Sequence, residues 1–104
     1  MLHYWHMKHY RWNNEKNLRL KAQRGVSFED VLFAIEKDRL LEDEKHPNNK
    51  TYANQRVLIV EIDNYAYLVP YVENKDEIFL KTIIPSRKAT KIYLKKEKKN
   101  DEAK

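Results

Sequence analysis

The sequence contains no cysteine and only one glycine, and each scarcity excludes a group of proteins. Without cysteine the chain has no disulfides, no thiolate metal sites and no cysteine nucleophile, a composition typical of cytoplasmic proteins. The single glycine, Gly25, excludes P-loop and Rossmann phosphate sites. Both of those sites need several glycines where the backbone approaches phosphate closely.

Long apolar runs are missing as well. No segment approaches the roughly 20 residues that a membrane-spanning helix needs, and residues 1–12 are too polar and aromatic for a signal peptide. The G-x-S-x-G and H-E-x-x-H signatures of serine hydrolases and zinc proteases do not occur either. We therefore expect a cytoplasmic protein with no membrane partner.

The apolar residues that are present suffice for one folded domain. Of the 104 residues, 41% are hydrophobic and 12% aromatic, and a chain of this length supports a single core. We expect a flexible extension at residues 1–8, a single domain at 9–94 and a charged flexible tail at 95–104. The three histidines among the first nine residues have no carboxylate or cysteine nearby to complete a ligand set. Neither a metal nor another cofactor is predicted.

Positive charge exceeds negative charge along the chain. The net charge is +5 and the pI is near 9.3, which favours a polyanionic partner, with nucleic acid first and an acidic protein second. Much of the surplus lies in residues 91–99, and lysine-rich ends are usually solvated. The arginines inside the predicted domain are therefore the more informative cations.

Two helices are predicted in the first third of the chain. Asn13 or Asn14 can cap the first helix, and Gly25 can end it in a left-handed conformation. Ser27 and Asp30 have the spacing of a capping box for the second helix. The apolar residues that follow repeat at the spacing of one helix face, namely Phe28, Val31, Leu32 and Ile35.

Strands dominate the rest of the chain. Asp63-Asn64 and residues 73–76 are hairpin-type links, and such short links force neighbouring strands to be antiparallel. Pro85 ends the last strand, and Ser86 can cap a basic carboxy-terminal helix. We expect an α+β fold, with an antiparallel β-sheet meander packed against two amino-terminal helices. β-branched and aromatic runs predict strands at 56–62, 65–72 and 78–84. Shorter strands are expected at 7–12 and 39–42.

Cations on regular elements are the residues that could carry chemistry. Arg56 begins a strand, Lys81 lies on the last strand, and Arg87 and Lys88 begin a helix. RNA cleavage by the substrate's own 2′-hydroxyl needs a group that removes its proton, cations that hold the phosphorane, and a donor for the leaving oxygen. Arginine suits the second role because its charge is permanent and its donors form a fork.

Several groups could move the proton, and each also has a purely structural explanation. Glu61 lies in an otherwise apolar strand, which a cross-strand partner such as Lys81 would explain equally well. The alternating pattern of a strand likewise explains Arg56 and Lys81 as outward-facing side chains. The remaining candidates are Tyr93, His46 and the turn carboxylates Asp63, Glu73 and Asp76.

Five segments can be considered together: Trp12-Asn13, Lys16, residues 25–30, Arg56 before an apolar strand, and Arg87-Lys88-Ala89-Thr90. Their order and spacing, over most of residues 12–93, resemble the BrnT family of type II toxins. The resemblance implies a RelE-like fold and a metal-independent endoribonuclease that cuts RNA, with or without the ribosome, and arrests translation. It also implies a hetero-oligomer with a cognate antitoxin, a small DNA-binding protein.

Site residues follow partly from the resemblance and partly from chemistry. Arg56 and Arg87 match the family pattern and are the expected active-site cations. Glu61, Lys81 and Tyr93 are added as catalytic candidates on chemistry alone. The expected RNA-binding residues are Lys88, Lys91 and Arg24.

The chain also departs from the family pattern. Asn13 stands where the family has aspartate, Arg24 stands where it often has histidine, and Lys81 is shifted by one position and so to the other strand face. Two alternatives therefore stay open. One is a non-catalytic module that binds nucleic acid or an antitoxin with the same fold, and the other is a toxin that keeps antitoxin binding but has lost its activity.

Overall fold

The computed structural model of the protein describes residues 8–45 and 55–95. The predicted extension at 1–8 and tail at 95–104 lie almost wholly outside these ranges, and so does His46. No helix within the described ranges is long and apolar enough to cross a membrane. The elements in chain order are β1 (His9–Arg11), α1 (Asn14–Arg24), α2 (Phe28–Glu36), β2 (Leu40–Lys45), β3 (Gln55–Ile62), β4 (Tyr65–Glu73), β5 (Glu77–Leu80), β6 (Ile84–Pro85) and α3 (Arg87–Thr90).

Both predicted helix starts are confirmed. The side chain of Asn13 accepts a hydrogen bond from the backbone N–H of Lys16 at 2.8 Å, and Gly25 ends α1 with a φ of 72°. Ser27 and Asp30 form the reciprocal capping box of α2, with bonds of 3.2 and 2.9 Å. These caps satisfy backbone groups that have no partner inside a helix.

A buried asparagine joins the two helices. The side chain of Asn17 accepts from the backbone N–H of Phe28 at 2.7 Å and donates to the Glu29 carboxylate at 2.9 Å. Asn17 is only 5% exposed, and a buried amide needs such partners to offset its lost hydration. The start of α2 is therefore fixed against the first turn of α1.

The strands form a mixed sheet in the order β1-β5-β4-β3-β2, with β6 also paired to β4. β3 and β4 are antiparallel along their whole length, and Asp63 and Asn64 between them both have positive φ, at 53° and 65°. This is the conformation of a two-residue type I′ hairpin. The antiparallel meander is thus confirmed for β3, β4 and β5.

The expectation of a purely antiparallel sheet is wrong for β1, which runs parallel to β5. A parallel pair needs a long connection, and α1, α2 and three strands separate these two in the chain. The predicted strand at 78–84 is also divided, into β5 and β6. Both pieces pair with the same edge of β4, and Ile83 in the break between them is fully buried.

The two faces of the sheet carry different layers. Leu58 of β3 and its partner Val69 face α1 and α2, whereas the next pair along the strands, Ile59 and Leu68, faces the opposite side. Side chains alternate between faces along each strand. The larger core, on the α1/α2 face, buries Leu20, Val26, Phe28, Val31, Ala34, Ile35, Leu58, Val60, Val69, Tyr71, Ile78, Leu80 and Ile83.

The basic carboxy-terminal segment covers the other face. Ala89 packs there against Ile59 and Ala66, together with Tyr93 and Leu94. α3 is a single α-helical turn that passes directly into a π-helical turn, Lys91–Lys95. The predicted Ser86 cap is confirmed, since its hydroxyl accepts from the backbone N–H of Ala89 at 3.0 Å.

Two hydrogen bonds attach α3 to the backbone of β4. Ser86 donates its N–H to the carbonyl of Ala66 at 3.0 Å, and the N–H of Ala66 donates to the Thr90 hydroxyl at 2.9 Å. That hydroxyl donates in turn to the Ser86 carbonyl at 2.8 Å. The first turn of α3 thereby continues the ladder where β6 ends.

Replacement of Thr90 by valine should weaken this attachment. The Thr90→Val variant keeps the shape of a side chain that is 4% exposed, but it leaves the N–H of Ala66 buried without its acceptor. We expect the free energy of unfolding to fall by about 2 kcal/mol, as measured by urea denaturation. Thr82→Val, at a partly exposed position, is the matched control and should change stability much less. Equal losses in both variants would contradict the proposed attachment.

Candidate functional site

Arg56 is held in a cluster of three side chains from neighbouring strands, which we call the Arg56 cluster. Arg56 lies directly opposite Tyr71 on β4. Its Nε donates to Oδ1 of Asp43, on β2, at 3.1 Å and to the Tyr71 hydroxyl at 3.2 Å. The Tyr71 hydroxyl itself donates to Oδ1 of Asp43 at 2.9 Å. Each of the three groups therefore contacts the other two.

The cluster lies where the core meets solvent on the α1/α2 face. Tyr71 is 1% exposed and belongs to the core. The side chains of Arg56 and Asp43 are 34% and 22% exposed. The tyrosine ring thus extends from the core, and its hydroxyl reaches an ion pair that solvent can approach.

This environment determines the charge states of Arg56 and Tyr71. Partial burial alone would lower the pKa of Arg56, but the charge of Asp43 and the bond with Tyr71 outweigh it, so the pKa of Arg56 is raised. Burial raises the pKa of the Tyr71 hydroxyl far above its usual value, and Asp43 raises it further. Tyr71 therefore stays protonated at neutral pH and acts as a donor, not as a base.

The geometry divides the guanidinium of Arg56 into two edges. Nε and Nη2 point to Asp43, Nε to its carboxylate and Nη2 to its backbone carbonyl at 3.2 Å. Among the described residues, none accepts a hydrogen bond from Nη1 or donates one to Oδ2 of Asp43. An arginine edge and a carboxylate oxygen are thus presented side by side, and an arginine fork is suited to two oxygens of one phosphate.

Arg87 lies far from this cluster. The residue before it, Ser86, is bonded to Ala66, which pairs with Glu61, five residues from Arg56 along β3. At about 3.3 Å per residue, that separation is about 17 Å. α3 also covers the opposite face of the sheet. The two arginines matched to the family pattern therefore cannot hold the same phosphate.

Glu61 and Lys81 do not meet either. Glu61 pairs with Arg39 at 3.6 Å, so the prediction that Lys81 is its cross-strand partner is wrong. The reason is the strand order, because β4 lies between the strand of Glu61 and β5. Lys81 follows β5 with an exposed side chain, and its backbone N–H donates to the carbonyl of Pro70.

Tyr93 lies on the face opposite Arg56, packed against the Ile59, Ala66 and Ala89 cluster. Burial raises the pKa of its hydroxyl, and the charges of Glu42 and Glu44 add to this effect. The structure thus separates Tyr93 from the Arg56 cluster by the thickness of the sheet.

The three candidate RNA-binding residues fall into two places. Lys88 and Lys91 are exposed beside Arg87, and we call these three residues the α3 cations. Arg24 is at the end of α1, where Nη1 donates to the backbone carbonyl of Ile83. That bond ties α1 to the break between β5 and β6, so Arg24 has a structural contact on the other face.

Asp43 was not among the residues that the sequence suggested. It lies in an acidic run, Glu42-Asp43-Glu44, and a bulge decides which of the three faces Arg56. Leu40 pairs with Val60 and Glu42 with Ile59, so Leu41 is an extra residue in β2. An unbroken ladder would have put Glu44 opposite Arg56, because one residue of shift reverses the faces.

No protein-family model, no curated protein and no solved structure matches this chain. The α+β class follows from the three helices and the mixed sheet themselves. Within residues 8–45 and 55–95, no three histidine, cysteine, aspartate or glutamate side chains are grouped as a metal site would require. The Arg56 cluster and the α3 cations are therefore the two features on which we base a function.

Tyr71→Phe should measure how strongly the hydroxyl holds the cluster. The variant keeps the ring in the core and removes a donor to a carboxylate and an acceptor from a guanidinium. We expect a loss of about 2 kcal/mol in unfolding free energy, measured by urea denaturation at neutral pH. Tyr65→Phe, on the same strand face, is the control and should differ little from wild type. A loss no larger than that of the control would show that the hydroxyl bonds contribute nothing.

The same residue should give stability an alkaline limit. The pKa of Tyr71 is raised in the folded protein, so its contribution is present below the unfolded value of about 10 and is lost as pH rises above it. Over that range the unfolded chain releases a proton that the folded chain keeps. We expect Tyr71 to add up to about 1.4 kcal/mol per pH unit to the downward slope of stability. Tyr71→Phe should remove this part of the slope in denaturation curves at several alkaline pH values.

Proposed function

We propose that the protein is the toxin of a type II toxin–antitoxin system, a cytoplasmic endoribonuclease of the BrnT family with a RelE-like fold. It cuts RNA without a metal and thereby arrests translation. The observation that supports this proposal is the Arg56 cluster. It presents a guanidinium edge and a carboxylate oxygen side by side at the solvent boundary.

The cluster can supply two of the groups that cleavage needs. Oδ2 of Asp43 takes the proton of the 2′-hydroxyl, and the resulting oxyanion attacks the adjacent phosphorus. The Nη1 side of the Arg56 guanidinium, which faces away from Asp43, holds the non-bridging oxygens as the phosphorane forms. The bond to the 5′-oxygen then breaks, that oxygen takes a proton from water, and the products carry a 2′,3′-cyclic phosphate and a 5′-hydroxyl.

Tyr71 has a supporting role in this proposal. It is buried, so it does not reach the RNA, but it fixes the carboxylate and the guanidinium in one arrangement. Reacting groups must be held close to their productive geometry, and small displacements cost rate. Asp43 also restricts Arg56 to one orientation before the substrate arrives.

The α3 cations are assigned to substrate binding instead of the chemical step. They lie on the other face and about 17 Å along the strands from Arg56, so they contact other phosphates of the same RNA. Contacts of this kind raise affinity and make it dependent on salt. Glu61 pairs with Arg39, and Tyr93 packs on the opposite face of the sheet. Neither residue has a catalytic role in this proposal.

The second candidate function is a binding module without catalysis. The specific observation that favours it is that Asp43 compensates the charge of Arg56 at 3.1 Å, as in an ordinary structural ion pair. In that case the α3 cations would be the main nucleic-acid contacts. A toxin that keeps antitoxin binding but has lost activity would behave in the same way in a cleavage assay.

The decisive experiment is RNA cleavage by purified variants, with and without ribosomes and EDTA. Arg56→Lys keeps the positive charge beside Asp43 but lacks the paired N–H donors that a guanidinium offers to a phosphate. Asp43→Asn keeps the shape of the side chain but removes the base. We expect each to lower the cleavage rate by about 100-fold or more without a matching loss of RNA affinity. Arg87→Ala should mainly weaken binding and reduce its salt dependence by about one unit of slope.

Arg19→Ala, an exposed arginine on α1, is the matched control for loss of one positive charge. The double variant Arg56→Ala with Arg87→Ala should abolish toxicity on expression, while circular dichroism shows that the fold is kept. Cleavage products that persist in the double variant would show that these arginines do not form the site. Wild-type protein that binds RNA but never cuts it would establish the binding module instead.

A further inference from the structure

A large apolar side chain stands exposed on the outer side of α2. Phe33 is 58% exposed, although the apolar residues around it in the sequence face the core. It falls outside the stripe formed by Phe28, Val31 and Ile35. Two grooves border it, one of about 550 Å³ next to Tyr10 and Leu32 and one of about 490 Å³ next to Ile62.

Carboxylates surround this phenylalanine, which is unexpected in a chain with a net charge of +5. Glu29 and Glu36 line the first groove, and Asp30, Glu61 and Asp63 line the second. Glu29, Asp30 and Glu36 are three or four residues from Phe33, so they are its neighbours on the helix surface. The hydrogen bond from Asn17 lowers the pKa of Glu29, which is therefore charged at neutral pH.

Three described cations lie near these acids, and Lys21 is one of them, since its charge contributes to the lowered pKa of Glu29. Arg39 pairs with Glu61 at 3.6 Å. Lys37 holds its ammonium 5.4 Å from the centre of the Phe33 ring, a geometry in which the ring attracts a cation. The ring is thus both an apolar contact and a cation-binding face, inside a patch whose net charge is negative.

We propose that Phe33, its two grooves and these carboxylates form a docking surface, the Phe33 surface, for a lysine- or arginine-rich segment of a partner protein. Charge complementarity selects the occupant. The acids attract a basic segment and repel nucleic acid and anionic membranes. One apolar or aromatic side chain of that segment packs against Phe33, and its cations pair with the carboxylates on either side.

The Phe33 surface is separate from the groups proposed to act on RNA. Its second groove is built at the Asp63-Asn64 turn, the end of β3 remote from Arg56. A partner docked there leaves the Arg56 cluster open. The inference therefore stands whether or not the chain cuts RNA.

The test uses a short synthetic peptide of lysines and arginines with one tryptophan. It is titrated into the full chain, and binding is measured by isothermal titration calorimetry. We expect saturable binding that weakens between about 0.05 and 0.5 M salt, because screening shortens the reach of charges. Phe33→Ala and the double variant Glu29→Gln with Glu36→Gln should each weaken binding about tenfold. A peptide with glutamate in place of its basic residues should not bind.

Leu18→Ala is the matched control, since Leu18 is 60% exposed on α1 and lies outside both grooves. It should leave peptide affinity within twofold of wild type. Equal affinity of the Phe33→Ala and wild-type chains for the peptide, or no binding by the wild type, would overturn the proposal. Sedimentation showing that the wild type self-associates and Phe33→Ala does not would instead assign the surface to a second copy of the chain. RNA cleavage, measured separately, tests the proposed function and not this surface.

Discussion

The pairing of β3 with β4 is the constraint on which the rest of the structure depends. Eight residue pairs and a two-residue turn leave this hairpin one register, and a slip of one residue would exchange the two faces of both strands. In the observed register Leu58 and Val60 meet the helices, while Ile59 and Ala66 meet the carboxy-terminal segment. The same register places Arg56 opposite Tyr71. The core and the candidate site are therefore fixed together.

The Arg56 cluster shows how a core residue can prepare a charged group at the surface. A lone arginine at the end of a strand would sample many rotamers, and ordering it would cost entropy on binding. Tyr71 extends from the core and Asp43 reaches from the next strand, so most of that ordering has taken place in the folded chain. The cost is that Asp43 neutralises part of the charge that a phosphate would meet. An arrangement of this kind favours a ligand that binds the Nη1 side of the guanidinium and also interacts with the carboxylate.

Positive and negative side chains are concentrated in different regions of the molecule, which the net charge alone does not show. The α3 cations lie on one face of the sheet, whereas the carboxylates around Phe33 lie on α2 and at the adjoining end of β3. A surplus of +5 spread evenly would favour polyanions everywhere. Here one region is suited to polyanions and another to a basic segment, so the same small domain can present two surfaces of opposite preference.

Local structure was largely predictable because short-range chemistry fixes it. Asn13, Ser27 and Ser86 act as caps since their side chains reach backbone groups two or three residues on, and Gly25 and the Asp63-Asn64 turn adopt positive φ because such residues tolerate it. The strands β3 and β4 and the apolar face of α2 follow from period and composition. The α+β class follows from the order of these elements.

Tertiary structure alone decided which residues meet. The parallel pairing of β1 with β5, the break at Ile83 and the face covered by α3 all depend on contacts between distant parts of the chain. The candidate site depends most of all on the extra residue Leu41, which turns Asp43 toward Arg56 and turns Glu42 and Glu44 away. A bulge has no signature in a run such as Leu-Leu-Glu-Asp-Glu, because it is defined by how β2 pairs with β3, and that pairing joins distant parts of the chain. The sequence by itself determined the helices, the central hairpin and the cationic residues, and only the packed sheet decided that Arg56 pairs with Asp43 and lies apart from Arg87.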